Sequence, residues 1–283
     1  MTQVTPAMIK ELRERTGVGM GKCKEALEAA KGNMDLAIEN LRKSGMATAV
    51  KKEGRTTNEG IIANAMKGST VALVEVNAET DFVVKNERFQ EFARNVAEEI
   101  AATNPSSLDT FKGQKFSKDK GLTVEEYRAT LVQAIGENIQ IRRLKTFSKG
   151  SDKSVGIYSH SGGKLVTVVE ITGSSGEEEF AKDIAMHIAA AAPEYLSEKE
   201  VPPTIVANER EIAKSQVKGK PENIVDKIVD GKINAYYDAA CLLRQKYIRD
   251  DSLTILDLVN KRAKEVGKPL VVTAFLRWGV GQQ

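Results

Sequence analysis

Two matching stretches decide the fold of this chain: residues 92–105 read FARNVAEEIAATNP, and residues 180–193 read FAKDIAMHIAAAAP. In both, apolar residues recur at helical spacing and a proline ends the run, because proline cannot continue a helix. Two apolar segments separated by a turn precede each stretch: 60–66 with 71–76, and 155–159 with 165–171. Two copies of one hairpin-plus-helix unit predict a duplicated α+β core.

The first copy has a longer connection between its hairpin and its helix. Matched helix positions lie 88 residues apart and matched strand positions 95 apart, so the first connection is seven residues longer. The extra length falls at 80–86 and contains Thr80-Asp81-Phe82-Val83, although connections are ordinarily polar. Either Phe82 packs into its own core or it enters a second protein. Asp81 adds a carboxylate that can accept hydrogen bonds or compete near a metal ion.

Helical and irregular segments surround the first copy. Residues 1–45 predict a bundle of three short helices, since Thr5 can cap the first helix and glycines at 17, 19 and 32 interrupt the run. Residues 46–59 are small, polar and basic, which predicts a linker. Residues 60–154 form the first core half, in which the polar segment 103–121 predicts a surface insertion.

The remaining sequence predicts three further parts. Residues 155–203 form the second core half, and residues 204–252 form an antiparallel helical hairpin with a turn at 218–221. An apolar stripe along the second hairpin helix indicates that the hairpin either projects from the core or packs on a second chain. Residues 253–283 form a short C-terminal module of one helix and one strand.

Composition excludes several classes of protein. Lys and Arg number 42 and Asp and Glu 39, and a net charge of +3 does not favour a DNA-binding protein. Cys23 and Cys241 are too few for a disulfide framework or a four-cysteine zinc site, so we expect no metal and no cofactor. No uncharged stretch exceeds ten residues. We therefore expect no membrane span and a cytoplasmic protein.

Enzyme chemistry is poorly supplied, and we expect that the chain is not an enzyme. Its two histidines, His160 and His187, lie far apart and in no catalytic motif. The glycines at 17, 19 and 21 suggest a phosphate loop, but Thr16 stands where that motif requires glycine and Cys23 where it requires Ser or Thr. The glycines instead predict a turn between two helices.

Several motifs in order along the chain resemble the bacterial translation elongation factor Ts family, the nucleotide-exchange factors of elongation factor Tu. Thr80-Asp81-Phe82-Val83 is the most specific of them. Further motifs lie at residues 10–17 with Met20, 135–139 with 141–143, 186–189 and 219–221. Each motif alone is weak, but together they are specific and extend over nearly the whole chain.

The resemblance implies both a fold and a function. The fold would combine an N-terminal module similar to a ubiquitin-associated domain, two related α+β halves, a protruding coiled-coil hairpin through which two copies could pair, and a C-terminal module. The chain would bind elongation factor Tu carrying GDP and promote release of GDP by disturbing the Mg²⁺ and phosphate site. It would remain bound until GTP binds.

The resemblance also implies roles for particular residues. Thr80, Asp81, Phe82 and Val83 would displace Mg²⁺ from elongation factor Tu, with Phe82 wedged between helices of the GTPase domain. The expected partner-binding residues are Arg13, Met20, Lys24, Ile135 and His160. The alternative function is a non-catalytic scaffold or RNA-binding adaptor that uses the N-terminal bundle and the basic residues Lys51, Lys52 and Arg55.

Overall fold

A computed structural model describes residues 3–217 and 221–282, so Lys218, Gly219 and Lys220 of the predicted turn lie outside the described residues. The chain divides into two compact units. The first contains residues up to Phe147, Gly162–Lys164 and residues from Gly279 onward, and the second contains Ser148–Ser161 and Leu165–Trp278. The predicted α+β, multi-domain class is confirmed. Within the described ranges, no helix combines the length and the apolarity that a membrane crossing requires.

Three helices begin the first unit: α1 (Pro6–Thr16), α2 (Met20–Ala29) and α3 (Met34–Lys52). The predicted cap is present, because the Thr5 hydroxyl accepts a 3.3 Å hydrogen bond from the Met8 N–H. Gly17 ends α1 in the left-handed conformation with φ 71°, as glycine favours. The helices enclose a small core that includes Leu12, Leu27 and Leu41.

The first core half follows in the same unit. Its elements are β1 (Glu59–Lys67), β2 (Thr70–Ala78), α4 (Asp81–Val84), α5 (Glu87–Thr103), α6 (Leu108–Gly113), β3 (Lys115–Phe116), β4 (Asp119–Thr123), α7 (Val124–Ile135) and β5 (Ile139–Ser148). The predicted hairpin and helix are confirmed. Strand β2 lies at the centre of the sheet β1-β2-β5. Helix α5 buries Phe92, Val96 and Ile100 in the core that this sheet also lines.

Helix α3 is longer than the sequence predicted. Residues 46–52, which we assigned to the linker, are helical, and residues 53–58 contain no regular element. Gly45 and Ala49 are buried on α3. A Cβ at Gly45 would lie 3.4 Å from the Ala129 carbonyl oxygen of α7, so the two helices approach closely there. Small residues that indicated a loop instead serve helix packing.

The segment 103–121 also differs from the prediction of a surface insertion. Phe111 of α6 and Phe116 of β3 are buried in the first core. Phe116 stacks on Tyr127 with ring centroids 4.5 Å apart. The polar residues between these aromatics obscured their spacing, although the two side chains contribute to the same core as α5.

The second unit repeats this order of elements. It contains β6 (Lys153–His160), β7 (Leu165–Thr172), α8 (Glu178–Ala191), α9 (Pro203–Ser215), α10 (Glu222–Ala240), β8 (Lys246–Tyr247), β9 (Asp250–Thr254), α11 (Ile255–Val266) and β10 (Val271–Gly279). Strand β7 is central in the sheet β10-β7-β6. Strand β10, which we assigned to a separate C-terminal module, thus belongs to the second sheet, and Val272 joins the second core. The functional division into six parts stays a prediction.

The duplication extends further than the sequence analysis found. Gln114-Lys115-Phe116 corresponds to Gln245-Lys246-Tyr247, and both segments open a two-stranded ribbon. Each ribbon leads to a helix that begins with a capping box, formed by Thr123 with Glu126 in one copy and by Thr254 with Asp257 in the other. The sequence signal for this second match is the Gln-Lys-aromatic triplet followed by Leu-Thr.

The helices α9 and α10 occupy an insertion in the second copy. The hydrogen-bonded residues Glu99 and Gln114 are 15 positions apart, whereas the corresponding pair, His187 and Gln245, is 58 apart. Ala213, Val229 and Ile233 form the apolar contact between the two inserted helices. The ends of the insertion meet, because the Tyr195 N–H donates to the Ala240 carbonyl at 3.1 Å and the Leu242 N–H to the Tyr195 carbonyl at 2.8 Å.

Candidate partner-binding site

The longer connection of the first copy forms the single-turn helix α4, and Phe82 on it is exposed. The Phe82 side chain is 80% accessible, whereas Val83 and Val84 beside it are buried in the first core. Thr80 caps the turn, since its hydroxyl accepts a hydrogen bond from the Val83 N–H at 3.4 Å. Of the two alternatives that the sequence left open, packing of Phe82 into its own core is therefore wrong.

Two carboxylates connect this turn to the segment between α7 and β5. Glu137 accepts hydrogen bonds from the Thr80 N–H at 3.0 Å and from the Thr80 hydroxyl at 2.7 Å. Glu79 accepts one from the Asn138 N–H at 2.6 Å, in the opposite direction. Hydrogen bonds thus join the turn that contains the motif at 80–83 directly to the motif at 135–139. Each motif is recognisable in the sequence, but no local pattern indicates the hydrogen bonds between them.

Asp81 lies beside Phe82 and forms an ion pair on the surface. The Lys85 ammonium donates to Asp81 Oδ2 at 2.7 Å, one helical turn later. This hydrogen bond lowers the pKa of the Asp81 carboxyl and raises the pKa of Lys85. Both side chains are exposed, so the negative charge of Asp81 is present at neutral pH and accessible to another cation.

Phe82 borders a concave surface of about 430 Å³ that other predicted site residues also line. Its lining consists of Arg13, Gly17, Phe82, Val83, Asn86, Arg88, Ala134 and Ile135. The structure therefore brings together four of the predicted residues, one from α1, two from α4 and one from the end of α7. A surface with an exposed aromatic, an aliphatic residue and two arginines suits contact with a protein.

Met20 and Lys24 do not line this concave surface. Met20 begins α2 and is 53% exposed, and Lys24 lies one turn later with its ammonium 3.7 Å from the Glu28 carboxylate. Both side chains are accessible. His160 belongs to the second unit, where it ends β6 at the hairpin tip, exposed, with Nδ1 3.2 Å from the Tyr158 hydroxyl.

Of the basic residues that the alternative RNA-binding function would use, two bind other groups of the same chain. Lys52 donates a hydrogen bond to the Gly136 carbonyl, and Arg55 forms an ion pair with Glu79 at 3.5 Å. Lys51 is exposed. Two of the three cations thus have intramolecular partners near the Phe82 turn, which weakens the interpretation of this segment as an RNA contact.

The remaining histidine and the two cysteines, which are the other potentially reactive side chains, are buried inside the protein. His187 is fully buried, and its Nε2 lies 3.0 Å from Gln245 Oε1. Cys23 and Cys241 are also buried, and burial raises the pKa of both thiols. Throughout residues 3–217 and 221–282, His, Cys, Asp and Glu side chains form no group of three or more suited to a metal ion.

Comparisons with known proteins place the motifs in a family. The family model described as Elongation factor TS matches residues 79–282, a range that begins next to Thr80. The chain is 68% identical over 282 residues to Elongation factor Ts of Protochlamydia amoebophila, with all of both chains covered. It is 45% identical over 281 residues to Elongation factor Ts of Chlamydia muridarum, covering 99% of this chain and 100% of the relative. A family match over more than half of the chain, with full-length relatives at this identity, means that the chain belongs to the elongation factor Ts family.

Proposed function

We propose that this chain is the guanine-nucleotide exchange factor of elongation factor Tu, which it would bind in the GDP state and hold until GTP enters. Membership of the family assigns the chain a role in translation as an elongation factor rather than an enzyme. The proposal of nucleotide exchange rests on the exposure of Phe82. This aromatic residue is 80% exposed on a turn whose neighbouring valines are buried. The proposal places the protein in the cytoplasm.

The exposed Phe82 supports a wedge that enters the GTPase domain of elongation factor Tu. Burial of a Phe side chain contributes about 1.5–3 kcal/mol. Shifting a two-state equilibrium of the partner from 1:99 to 99:1 requires roughly 5.5 kcal/mol of differential affinity for the two states. Phe82 alone is therefore insufficient, and the other residues of the interface must contribute.

Asp81, next to Phe82, can contribute a negative charge to the disturbance of the Mg²⁺ site. Asp81 would compete for Mg²⁺ or for the groups that hold it once its carboxylate leaves Lys85. Because Asp81 and Lys85 are both exposed, breaking their ion pair costs little free energy, as for surface ion pairs in general. Thr80 and Val83 would act by supporting the turn, since Val83 is buried and Thr80 caps it.

The remaining predicted residues extend the proposed interface. Arg13, Met20 and Lys24 would contact the GTPase domain, and Ile135 and His160 the third domain of elongation factor Tu. We also propose that α1–α3 form a ubiquitin-associated-like module and that α9 and α10 form a coiled-coil hairpin through which two copies can pair. Exposed Ile212 and Ile224 on these two helices support such a pairing surface.

Release of a fluorescent GDP analogue from elongation factor Tu tests the proposal. Catalytic amounts of the native chain should accelerate release in the presence of excess unlabelled GDP. Phe82→Ala should lose most of that acceleration while binding to nucleotide-free elongation factor Tu weakens less, because the wedge acts on the nucleotide-bound form. Met66→Ala is the matched control, since Met66 is 60% exposed and lies outside the site.

Three results would contradict parts of this proposal. If the native chain does not accelerate release from active elongation factor Tu, the exchange function is wrong. If Phe82→Ala loses exchange and binding equally, Phe82 is an ordinary contact rather than a wedge. Loss of acceleration in Met66→Ala as well would show that the assay reports general damage to an exposed apolar surface.

A further inference from the structure

We infer that Glu137 is a positioning residue for exchange: it holds the Thr80 cap so that Phe82 stays on the surface in one orientation. The inference rests on the proposed exchange function and adds a residue from a different segment of the chain. Glu137 would act through Thr80, and its carboxylate need not touch the partner.

The contact between Glu137 and Thr80 is bidentate. One carboxylate oxygen accepts from the Thr80 N–H at 3.0 Å and the other from the Thr80 hydroxyl at 2.7 Å. Hydrogen bonds to a charged acceptor are stronger than neutral ones, and two parallel bonds fix the direction as well as the distance. The same hydroxyl accepts from the Val83 N–H, so Glu137 also determines how Thr80 caps α4.

Glu137 is itself held in place on both sides. Gly136 ends α7 with φ 91°, and its carbonyl accepts a hydrogen bond from Lys52. On the other side the Asn138 N–H donates to Glu79 at 2.6 Å, and the Asn138 side-chain amide donates to the carbonyls of Glu53 and Arg55 at 3.2 and 2.9 Å. The carboxylate therefore has a fixed base from which to position Thr80.

Helix α4 needs this external support because it is short. A single helical turn is unfavourable in isolation, since the cost of nucleation exceeds the gain of its few hydrogen bonds. Burial of Val83 and Val84 holds one face of the turn. Phe82 is on the exposed side and has no comparable burial, so its orientation depends on the backbone at Thr80.

The second copy of the repeat offers an internal comparison. Gly267 ends α11 in the left-handed conformation, as Gly136 ends α7, and the residue that follows it is Lys268. Lys268 donates to Ser174 Oγ at 3.0 Å. The second copy has the shorter connection between hairpin and helix, without a turn like α4. Within this chain, the carboxylate thus accompanies the copy that has the exposed aromatic.

Glu137→Gln is the informative substitution, because it keeps the shape of the side chain but removes the charge and one acceptor. Hydrogen–deuterium exchange of the free chain should show roughly tenfold faster exchange at the amides of Thr80 and Val83. GDP release from elongation factor Tu should be accelerated roughly tenfold less than by the native chain. Glu98→Gln is the matched control, since Glu98 accepts from Lys118 at 2.7 Å on the exposed side of α5.

A double-mutant cycle separates positioning from general stability. In the Phe82→Ala background, Glu137→Gln should reduce the acceleration of GDP release by less than about twofold, because no aromatic side chain remains to be positioned. Additive effects of the two substitutions would overturn the inference and make Glu137 an independent contact. Unchanged amide exchange at Thr80 and Val83 would overturn it as well.

The inference and the exchange function fail in different ways. If the native chain accelerates GDP release and Glu137→Gln accelerates it equally, the inference is wrong and the exchange function stands. If the native chain does not accelerate release, the exchange function fails first and the positioning role fails with it. Loss of activity in Glu98→Gln to the same extent would also count against a specific role for Glu137.

Discussion

Arg88 donates a 2.9 Å hydrogen bond from Nη1 to the carbonyl oxygen of Gly17, and this bond joins the start of α5 to the end of α1. Arg88 and Gly17 both line the concave surface beside Phe82. The three N-terminal helices are thereby connected to the first core half at the point where the predicted partner residues meet.

Gly17→Ala should destabilise the chain by about 1–3 kcal/mol. Gly17 has φ 71°, which strains any residue with a Cβ, and that Cβ would overlap the Arg88 guanidinium and break its hydrogen bond. Urea unfolding measures the loss. Gly21→Ala is the control, because a Cβ at Gly21 of α2 meets nothing within 4 Å. It should stabilise the chain by up to about 1 kcal/mol, and a loss as large as that of Gly17→Ala would contradict this account.

Phe82→Ala should change the free energy of unfolding by less than about 0.5 kcal/mol, because an exposed side chain loses little burial on folding. Val83→Ala, one position later, should cost about 1–3 kcal/mol since Val83 is buried. The two variants should therefore separate activity from stability when urea unfolding is compared with GDP release. A large stability loss in Phe82→Ala would mean that the aromatic packs on the protein in solution.

His187 should make the stability of the chain decrease below neutral pH. Burial lowers the pKa of His187, so the folded state holds the neutral imidazole more firmly than the unfolded state does. Its contribution is fully present above the unfolded pKa of about 6.5 and is lost as the pH falls through the lower folded pKa. Between pH 6.5 and 5, native stability should fall faster than that of His187→Gln, by up to about 1.4 kcal/mol per pH unit.

His160→Gln is the control for that experiment, because His160 is exposed at the tip of its hairpin. This variant should retain the pH profile of the native chain in urea unfolding. Parallel profiles for the native chain and His187→Gln would show that buried His187 is not the group responsible.

Glu75→Gln should destabilise the chain by about 1.5–3 kcal/mol, because it removes the charge from a buried carboxylate that accepts hydrogen bonds. Glu75 is fully buried on β2, where it accepts from Arg143 Nε at 2.7 Å and from the Gly281 N–H at 2.8 Å. Glu170 takes the same place in the second copy but is partly exposed, and it accepts from Lys153 at 3.2 Å. Glu170→Gln should cost less than about 1 kcal/mol, and equal losses in thermal or urea unfolding would refute the distinction.

The repeat allowed much of the fold to be predicted, because apolar spacing directly reports which faces are buried. Both hairpins, α5 and α8 follow from it. The linker and the surface insertion failed for a common reason: small or polar residues were taken to indicate exposure. Ala49 is buried on α3, which approaches α7 closely at Gly45, and Phe116 is buried although its neighbours in the sequence are mostly polar.

The candidate site was predicted only as separate segments. The sequence indicated that Phe82 lies in an unusual connection, but its exposure depends on how Val83 and Val84 pack, which periodicity cannot show in so short a turn. The partnership of Thr80 with Glu137 spans 57 positions, and no local pattern predicts it. Long-range hydrogen bonds of this kind become visible only in three dimensions.

The insertion between Tyr195 and Leu242 has a consequence for the engineering of this protein. The chain segments that flank α9 and α10 meet at a pair of backbone hydrogen bonds, from Tyr195 to Ala240 and from Leu242 to Tyr195. The first half closes at the same place with the short helix α6. We therefore expect this position to accept a graft, in which a foreign hairpin or a reporter peptide replaces the native helices.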